Sequence, residues 1–259
     1  MSVFEALLLG LIQGITEFLP VSSSGHLAVL EHLWKLPVES RLPLATMLHG
    51  ATALAVVFYF APLIARLIRG LWARDTARRS SSWQMVGFIV LASLPAGVVG
   101  VLFSDLIDRA FSSPLLVGMM LLVTGGVLFS TRFSEPRGRT GWLRVFLVGV
   151  GQAIAILPGI SRSGATIASG LCLGMERKEA FEFSFLLAIP AIAGAFLLEF
   201  RKVNLAVLNP SALTVGMVAA FVSGLAALFV LARAVTGRKL YWFAFYCWLA
   251  GLATILFVR

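Results

Sequence analysis

The chain has 259 residues, 59% hydrophobic and only 13% charged, with a mean hydropathy of +0.94 and a net charge of +9. Soluble domains carry about 25% charged residues, so this composition excludes an ordinary soluble globule. No RNA-binding signature accompanies the basic excess, so nucleic acid is excluded as the expected partner, and the charge is read first as membrane topology.

The first apolar stretch, residues 3–33, has no basic leader and is interrupted by Glu5, Glu17 and His26. It therefore reads as part of the protein and not as a signal peptide. Its middle is broken by FLPVSSSGH. Spans follow at 44–62, 84–103 and 113–131, then a basic connection over 132–144. A second apolar stretch, 145–171, is broken by LPGISRSGAT, and spans follow at 181–198, 212–232 and 240–258. Each span approaches the ~20 residues needed to cross a hydrocarbon core. Irregular backbone at membrane depth survives only when buried in protein or lining a wet cavity, so both broken stretches read as re-entrant helix pairs. The expected fold is all-α, a polytopic membrane protein with six transmembrane helices and two re-entrant pairs.

Two patterns extend this reading. Alternation places fourteen basic residues in the loops 63–83, 132–144, 172–180 and 233–239, against six on the opposite side, with Arg162 left inside the second break. The bias predicts both termini outside. At an offset of 139, Gln13, Ser22, Ser24 and Gly25 match Gln152, Ser161, Ser163 and Gly164. Three spans follow each broken stretch, so the second half must be inverted: 1–131 and 145–259 are read as inverted repeats joined by 132–144, within one membrane domain. Such repeats set their site near the midplane where the breaks meet. Small residues at four-residue spacing, Ala92, Ala96 and Gly100, then Gly216, Ala220 and Gly224, mark faces for close helix packing. Cys172 and Cys247 lie far apart in apolar surroundings and imply neither a disulfide framework nor a metal motif.

Ionisable groups inside a membrane are costly and functional by default. Gln13 and Glu17 are four apart and share a helix face that looks into the first break. Ser22, Ser23, Ser24 and Gly25 offer hydroxyls and free N–H groups to an anion, and His26 adds an imidazole able to take or give a proton. In the second break, Arg162 is flanked by Ser161 and Ser163 and can grip phosphate oxygens with its guanidinium fork, and a helix starting after Pro158-Gly159 would add N-terminal N–H groups. A structural Arg162–Glu17 or Arg162–Glu182 ion pair is the competing reading, and Glu182 is a candidate support for Arg162. His49, at the start of a span, reads as a packed polar residue, and Glu31 and His32 as interfacial. A divalent ion at Glu17 beside a pyrophosphate would be Mg²⁺ or Ca²⁺, sharing substrate oxygens.

At these residues the chain resembles the undecaprenyl pyrophosphate phosphatases of the bacitracin-resistance family. The family's [Glu/Gln]-x-x-x-Glu motif is similar to Gln13–Glu17, its PVSSSGH-like segment to Pro20–His26, and its P-G-x-S-R-S-x-x-T motif to Pro158–Thr166; EFSFLLAIPA at 182–191 matches as well. The resemblance covers essentially the whole chain. It implies a hydrolase that converts undecaprenyl pyrophosphate to the monophosphate and inorganic phosphate, in the bacterial cytoplasmic membrane, with a site open to the outer face and dependence on a divalent cation. It implies Glu17 as metal ligand or acid–base group, with Gln13 as a neutral co-ligand, Ser23 and His26 as the catalytic pair, and Arg162 as the pyrophosphate clamp, helped by Ser161, Ser163 and Thr166. Ser23, His26 and water all remain open as the nucleophile. The sequence leaves open a homo-oligomer, and also a second reading as a transporter or flippase of polyprenyl phosphates. An acid-phosphatase pattern, with a histidine after its arginine, is excluded because His26, His32 and His49 all precede Arg162.

Overall fold

The structure, a computed structural model, describes residues 2–23, 25–27, 30, 34, 38–103, 110, 113–138, 140–201, 203–204 and 207–257. Ser24, Glu31 and His32 lie outside the described residues. The described chain is helical: α1 (Val3–Phe18), α2 (Val38–Tyr59), α3 (Ala61–Leu71), α4 (Thr76–Leu102), α5 (Pro114–Ser130), α6 (Trp142–Ile154), α7 (Arg162–Cys172), α8 (Arg177–Phe200), α9 (Pro210–Thr236) and α10 (Phe243–Phe257). Short 3₁₀ turns at Thr131–Phe133 and Leu240–Trp242 follow α5 and precede α10. Six segments are long and apolar enough to cross a membrane: Ser40–Tyr59, Thr76–Leu102, Pro114–Phe133, Arg177–Phe200, Pro210–Thr236 and Leu240–Phe257. They coincide with the six expected spans, and the chain is a multi-pass membrane protein.

Local chemistry sets the helix ends. Ser2 and Glu5 form a reciprocal capping box at the start of α1, so Glu5 serves the helix end. The helix stops at Phe18 because Pro20 forces Leu19 into extended backbone. α4 begins eight residues before the expected span, at Thr76, because Asp75 caps it through the Ala77 N–H. This carries Arg78 and Arg79 on a helix that continues past the apolar zone. α3 lies in a segment read from sequence as loop. It is amphipathic: Leu63 and Ile64 pack on the core while Arg66 and Arg69 stay on the other face.

The helices of the two broken stretches are short. α1, α6 and α7 have 16, 13 and 11 residues, and at ~1.5 Å per residue none covers a core of ~30 Å. α6 and α7 pack on each other where Gly151 meets Ser169. The elements pair across the halves. α1 packs on α9, and α6, its counterpart, packs on α4; α2 pairs with α8, and α5 with α10.

The small-residue faces make the close contacts. Gly10 sits against Gly216, and Gly14 against Ala220, Ser223 and Gly224; Gly149 sits against Ala92. The basic loops meet at one end. Arg177 donates to the Ser134 carbonyl (3.0 Å), the Arg137 N–H donates to the Gly174 carbonyl (2.8 Å), and Arg238 forks onto Glu135 (3.1 Å to each oxygen). A polar cavity at this end is lined by Ser81 and Gln84 together with Thr140, Glu176 and Glu179, which ties the start of α4 to the same group.

Gly14→Leu drives a side chain into α9 backbone and is expected to lower stability by at least ~1–3 kcal/mol. Gly97, with nothing within 4 Å of a built Cβ, should accept alanine without loss. Thermal unfolding of the two purified variants in detergent checks both.

Candidate active site

The first break is built from α1 and the turn after it. Gln13 and Glu17 occupy the last turns of α1. Ser22 then adopts φ +66°, a left-handed conformation uncommon outside glycine. That reversal turns the chain so that Ser23 opens the next helical segment. The Ser23 hydroxyl donates to Glu17 Oε2 at 2.7 Å, and the Ser22 carbonyl lies 2.8 Å from His26 Nδ1. α10 holds this break from outside: the Cys247 thiol donates to the Pro20 carbonyl (3.2 Å), and Tyr246 reaches His26.

The second break is held by α5. Gly159, at φ +92°, lies against Val117 and Met120, where a Cβ would clash. The Thr124 hydroxyl donates to the Gly159 carbonyl (3.0 Å) and accepts from the Ser161 N–H (3.3 Å). Ser161 then caps α7 by accepting from the Gly164 N–H (3.2 Å). This fixes Arg162 at the first position of α7.

The two breaks meet through one ion pair. Arg162 Nη2 donates to Glu17 Oε1 at 2.8 Å, across 145 residues of sequence. Glu17 Oε2 also accepts from Gln13 Nε2 at 3.1 Å, and His49 Nε2, from α2, lies 3.6 Å away. The pair is largely sheltered, with side-chain exposures of 19% for Arg162 and 9% for Glu17. Two polar atoms beside it are buried without a hydrogen-bond partner among the described residues, Arg162 Nη1 and Gln13 Oε1. Buried polar groups left unpaired in this way need an explanation. A charged donor and a neutral acceptor flanking a carboxylate are suited to an incoming anion and to a cation or proton that accompanies it.

The expected residues divide accordingly. Glu17, Gln13, Ser23 and Arg162 come together. Ser23 and His26 do not bond to each other: Ser23 donates to Glu17, and the two ring nitrogens of His26 face Ser22 and Tyr246. Ser22 and Gly25 are buried in the turn, and Ser24 falls outside the described residues. Ser161, Ser163 and Thr166 are almost fully buried and bonded within the break: Ser161 to Ser163 at 3.2 Å, and Thr166 to the Arg162 carbonyl at 2.8 Å and to Ser184 at 2.5 Å. They shape the support of Arg162. Glu182 does not reach Arg162. It pairs with Lys178 at 3.8 Å, because the Thr166–Ser184 contact leaves Arg162 a turn beyond that level, away from Glu182. Both cysteines are free.

Sequence reading missed three participants. His49 was taken for a packed polar residue, yet its ring edge faces Glu17. Its i,i−4 bond from Nδ1 to the Ala45 carbonyl at 2.8 Å orients it, and no local motif signals this. Thr124 and Tyr246 sit in spans that look uniformly apolar. Only the packing of α5 and α10 against the breaks reveals them.

The residues present fit a divalent cation as a partial shell. Among the described residues no three His, Cys, Asp or Glu side chains gather. One carboxylate, Glu17, and the orphaned amide oxygen of Gln13 are the kind of set that Mg²⁺ completes with substrate phosphate oxygens.

Thr124→Val removes the hydroxyl that joins the Gly159 carbonyl to the Ser161 N–H. It is expected to cost ~1–3 kcal/mol by stranding both groups, read as a lower unfolding temperature, whereas Thr124→Ser should restore most of it.

The chain is similar along nearly its full length to a protein family and to named relatives. The family described as bacitracin resistance protein BacA matches residues 6–253. A protein of Alkaliphilus metalliredigens named undecaprenyl-diphosphatase is 38% identical over 272 residues, covering 99% of each chain. Proteins of the same name from Parabacteroides distasonis and Thermotoga petrophila are 41% and 40% identical, covering 98% and 96% of this chain and 98% of each of theirs. With its two breaks joined through Glu17 and Arg162 and a match running from Ala6 to Ala253, the chain belongs to the bacitracin resistance protein BacA family.

Proposed function

We infer that this membrane protein is an undecaprenyl-diphosphatase, a hydrolase that releases inorganic phosphate from undecaprenyl pyrophosphate and leaves the lipid monophosphate. The relatives carry that name, and the observation that carries the reading to this chain is the Glu17 cluster. A serine hydroxyl is bonded to a carboxylate while an arginine keeps a buried donor unused beside it.

The chemistry follows from that arrangement. Arg162 Nη1 and the N-terminal end of α7 receive the pyrophosphate oxygens and offset charge that grows as the terminal phosphoryl group transfers. Ser23 Oγ attacks the terminal phosphorus as its proton passes to Glu17 Oε2. The bond from that phosphorus to the bridging oxygen breaks, and the lipid monophosphate leaves. Water then attacks the phosphoserine and gives up a proton to His26. The Ser23 oxygen departs and takes back the proton held by Glu17, inorganic phosphate is released, and His26 passes its proton to solvent water. Glu17 and Gln13 would hold a Mg²⁺ or Ca²⁺ ion, whose contribution when bound is to neutralise pyrophosphate charge. The bond of Ser23 to Glu17 favours serine as nucleophile over His26.

The lipid tail also has room. An apolar cavity of about 600 Å³ opens between α4 and α6, lined by Leu94, Pro95, Val98, Val150, Ile154 and Leu157. Leu157 adjoins Pro158, where the second break begins. Leu94, Val98 and Ile154 are each more than half exposed, so the cavity faces the flank of the bundle, where bilayer lipid lies. The excess of basic residues in the loops gathered at one end supports placing both termini toward the outer face of the cytoplasmic membrane.

Purified protein in detergent, where transport has no meaning, should release phosphate from undecaprenyl pyrophosphate with Mg²⁺ or Ca²⁺ and stop with chelator. Absence of release from folded protein would favour a flippase. Arg162→Ala is expected to lose at least ~10²–10³-fold in kcat. Ser23→Ala should lose at least ~100-fold, whereas Ser22→Gly, which relieves the left-handed backbone, should keep most activity. Equal small losses at both serines would point to water or His26 as nucleophile. Filling the flank cavity with Val98→Trp should raise KM for the 55-carbon substrate and leave a short prenyl pyrophosphate unaffected.

A further inference from the structure

His26 is held at both ring nitrogens, one from its own turn and one from outside it. Its Nδ1 lies 2.8 Å from the Ser22 carbonyl. A carbonyl only accepts, so Nδ1 carries a proton in either charge state. In the neutral ring Nε2 is then the bare nitrogen. Tyr246 Oη lies 2.5 Å from it, and the phenol donates into the Nε2 lone pair. The two rings are also nearly parallel, 13° between planes with centroids 5.7 Å apart. Tyr246 is held in turn, because its neighbour Cys247 is buried and bonded to the Pro20 carbonyl at the start of the same break. Consecutive residues of α10 thus grip both the turn and the histidine that follows it.

We propose that Tyr246 is a positioning residue for His26. With the Nδ1–H tautomer already set by the Ser22 carbonyl, it orients the ring through its hydrogen bond to Nε2, the one basic nitrogen of the neutral imidazole. The second half of the chain then contributes the group that sets His26 as well as the arginine that binds phosphate. This rests on the phosphatase reading above, in which His26 Nε2 takes the proton of the attacking water. When that water is in place, the phenol's hydrogen rotates away from Nε2, or the phenol passes its own proton to Nε2 and takes the water's, with no net change in protons.

The test is a double-mutant cycle on phosphate release by the full-length protein in detergent. Tyr246→Phe keeps the stacked ring and removes only the hydroxyl. It should lower kcat about tenfold, the worth of one hydrogen bond, with KM within twofold. In a His26→Ala background the same change should have no further effect, since its action runs through the imidazole. Additive losses in the two backgrounds, or a loss in KM alone, would overturn the proposal in favour of a structural role for Tyr246. A second measurement does not need turnover. In ¹⁵N spectra of histidine-labelled protein, the Nε2 resonance of His26 should move toward the position of an unbonded imine nitrogen in Tyr246→Phe, and an unchanged Nε2 resonance would also overturn it. Wild-type protein that folds but releases no phosphate would instead sink the phosphatase reading, and this inference with it, whatever the spectra show.

Discussion

A single ion pair organises the interior of this protein. Glu17 and Arg162 are each too costly to leave alone at membrane depth, and each sits at a break where helix ends leave backbone groups unpaired. At 2.8 Å, with little solvent around it, the pair ties the two halves of the chain together at the one place where both have interrupted their helices. Such a pair adds little net stability once its desolvation is counted, but removing one partner strands the other. Its value lies in placement. The carboxylate must stand where an arginine from the other half can reach it, which fixes how α1 and α7 meet.

The surrounding structure serves that meeting. Glycines on α1 let it lie directly on α9, and Gly149 does the same for α6 on α4. Each break is then held by a third span from the opposite half: α10 by Tyr246 and Cys247 on the first, α5 by Thr124 on the second. The irregular backbone that a membrane would not tolerate in contact with lipid is enclosed by these spans. Enclosure also strengthens every charge interaction inside.

The two matching stretches carry different side chains. At the offset that aligns Gln13 with Gln152 and Ser22 with Ser161, Glu17 falls opposite Ile156, Ser23 opposite Arg162 and His26 opposite Ala165. The first stretch carries the serine, carboxylate and imidazole; the second carries the arginine. Gln152 has no carboxylate four residues on, and both its polar atoms are buried without a hydrogen-bond partner among the described residues. Gln13, by contrast, bonds to Glu17 and leaves one oxygen facing the site.

The sequence by itself determined the membrane setting, the six spans and the two breaks, because hydropathy and Pro-Gly-Ser punctuation act over a few neighbouring residues. It also singled out Glu17, Ser23 and Arg162, since charges and serines in apolar runs stand out against their background. It did not reveal α3, whose alternation of arginines with apolar residues resembles a basic loop, nor the early start of α4, which one capping aspartate decides. Only the tertiary structure decided partners. Arg162 could have paired with Glu17 or Glu182, and the antiparallel register of α7 and α8 chose the first. His49, Thr124 and Tyr246 lie in spans whose local pattern gives no sign of chemistry, and they enter the site through contacts between segments 32 to 220 residues apart. Such contacts are fixed by how helices pack in three dimensions, and no window along the chain contains both ends of them.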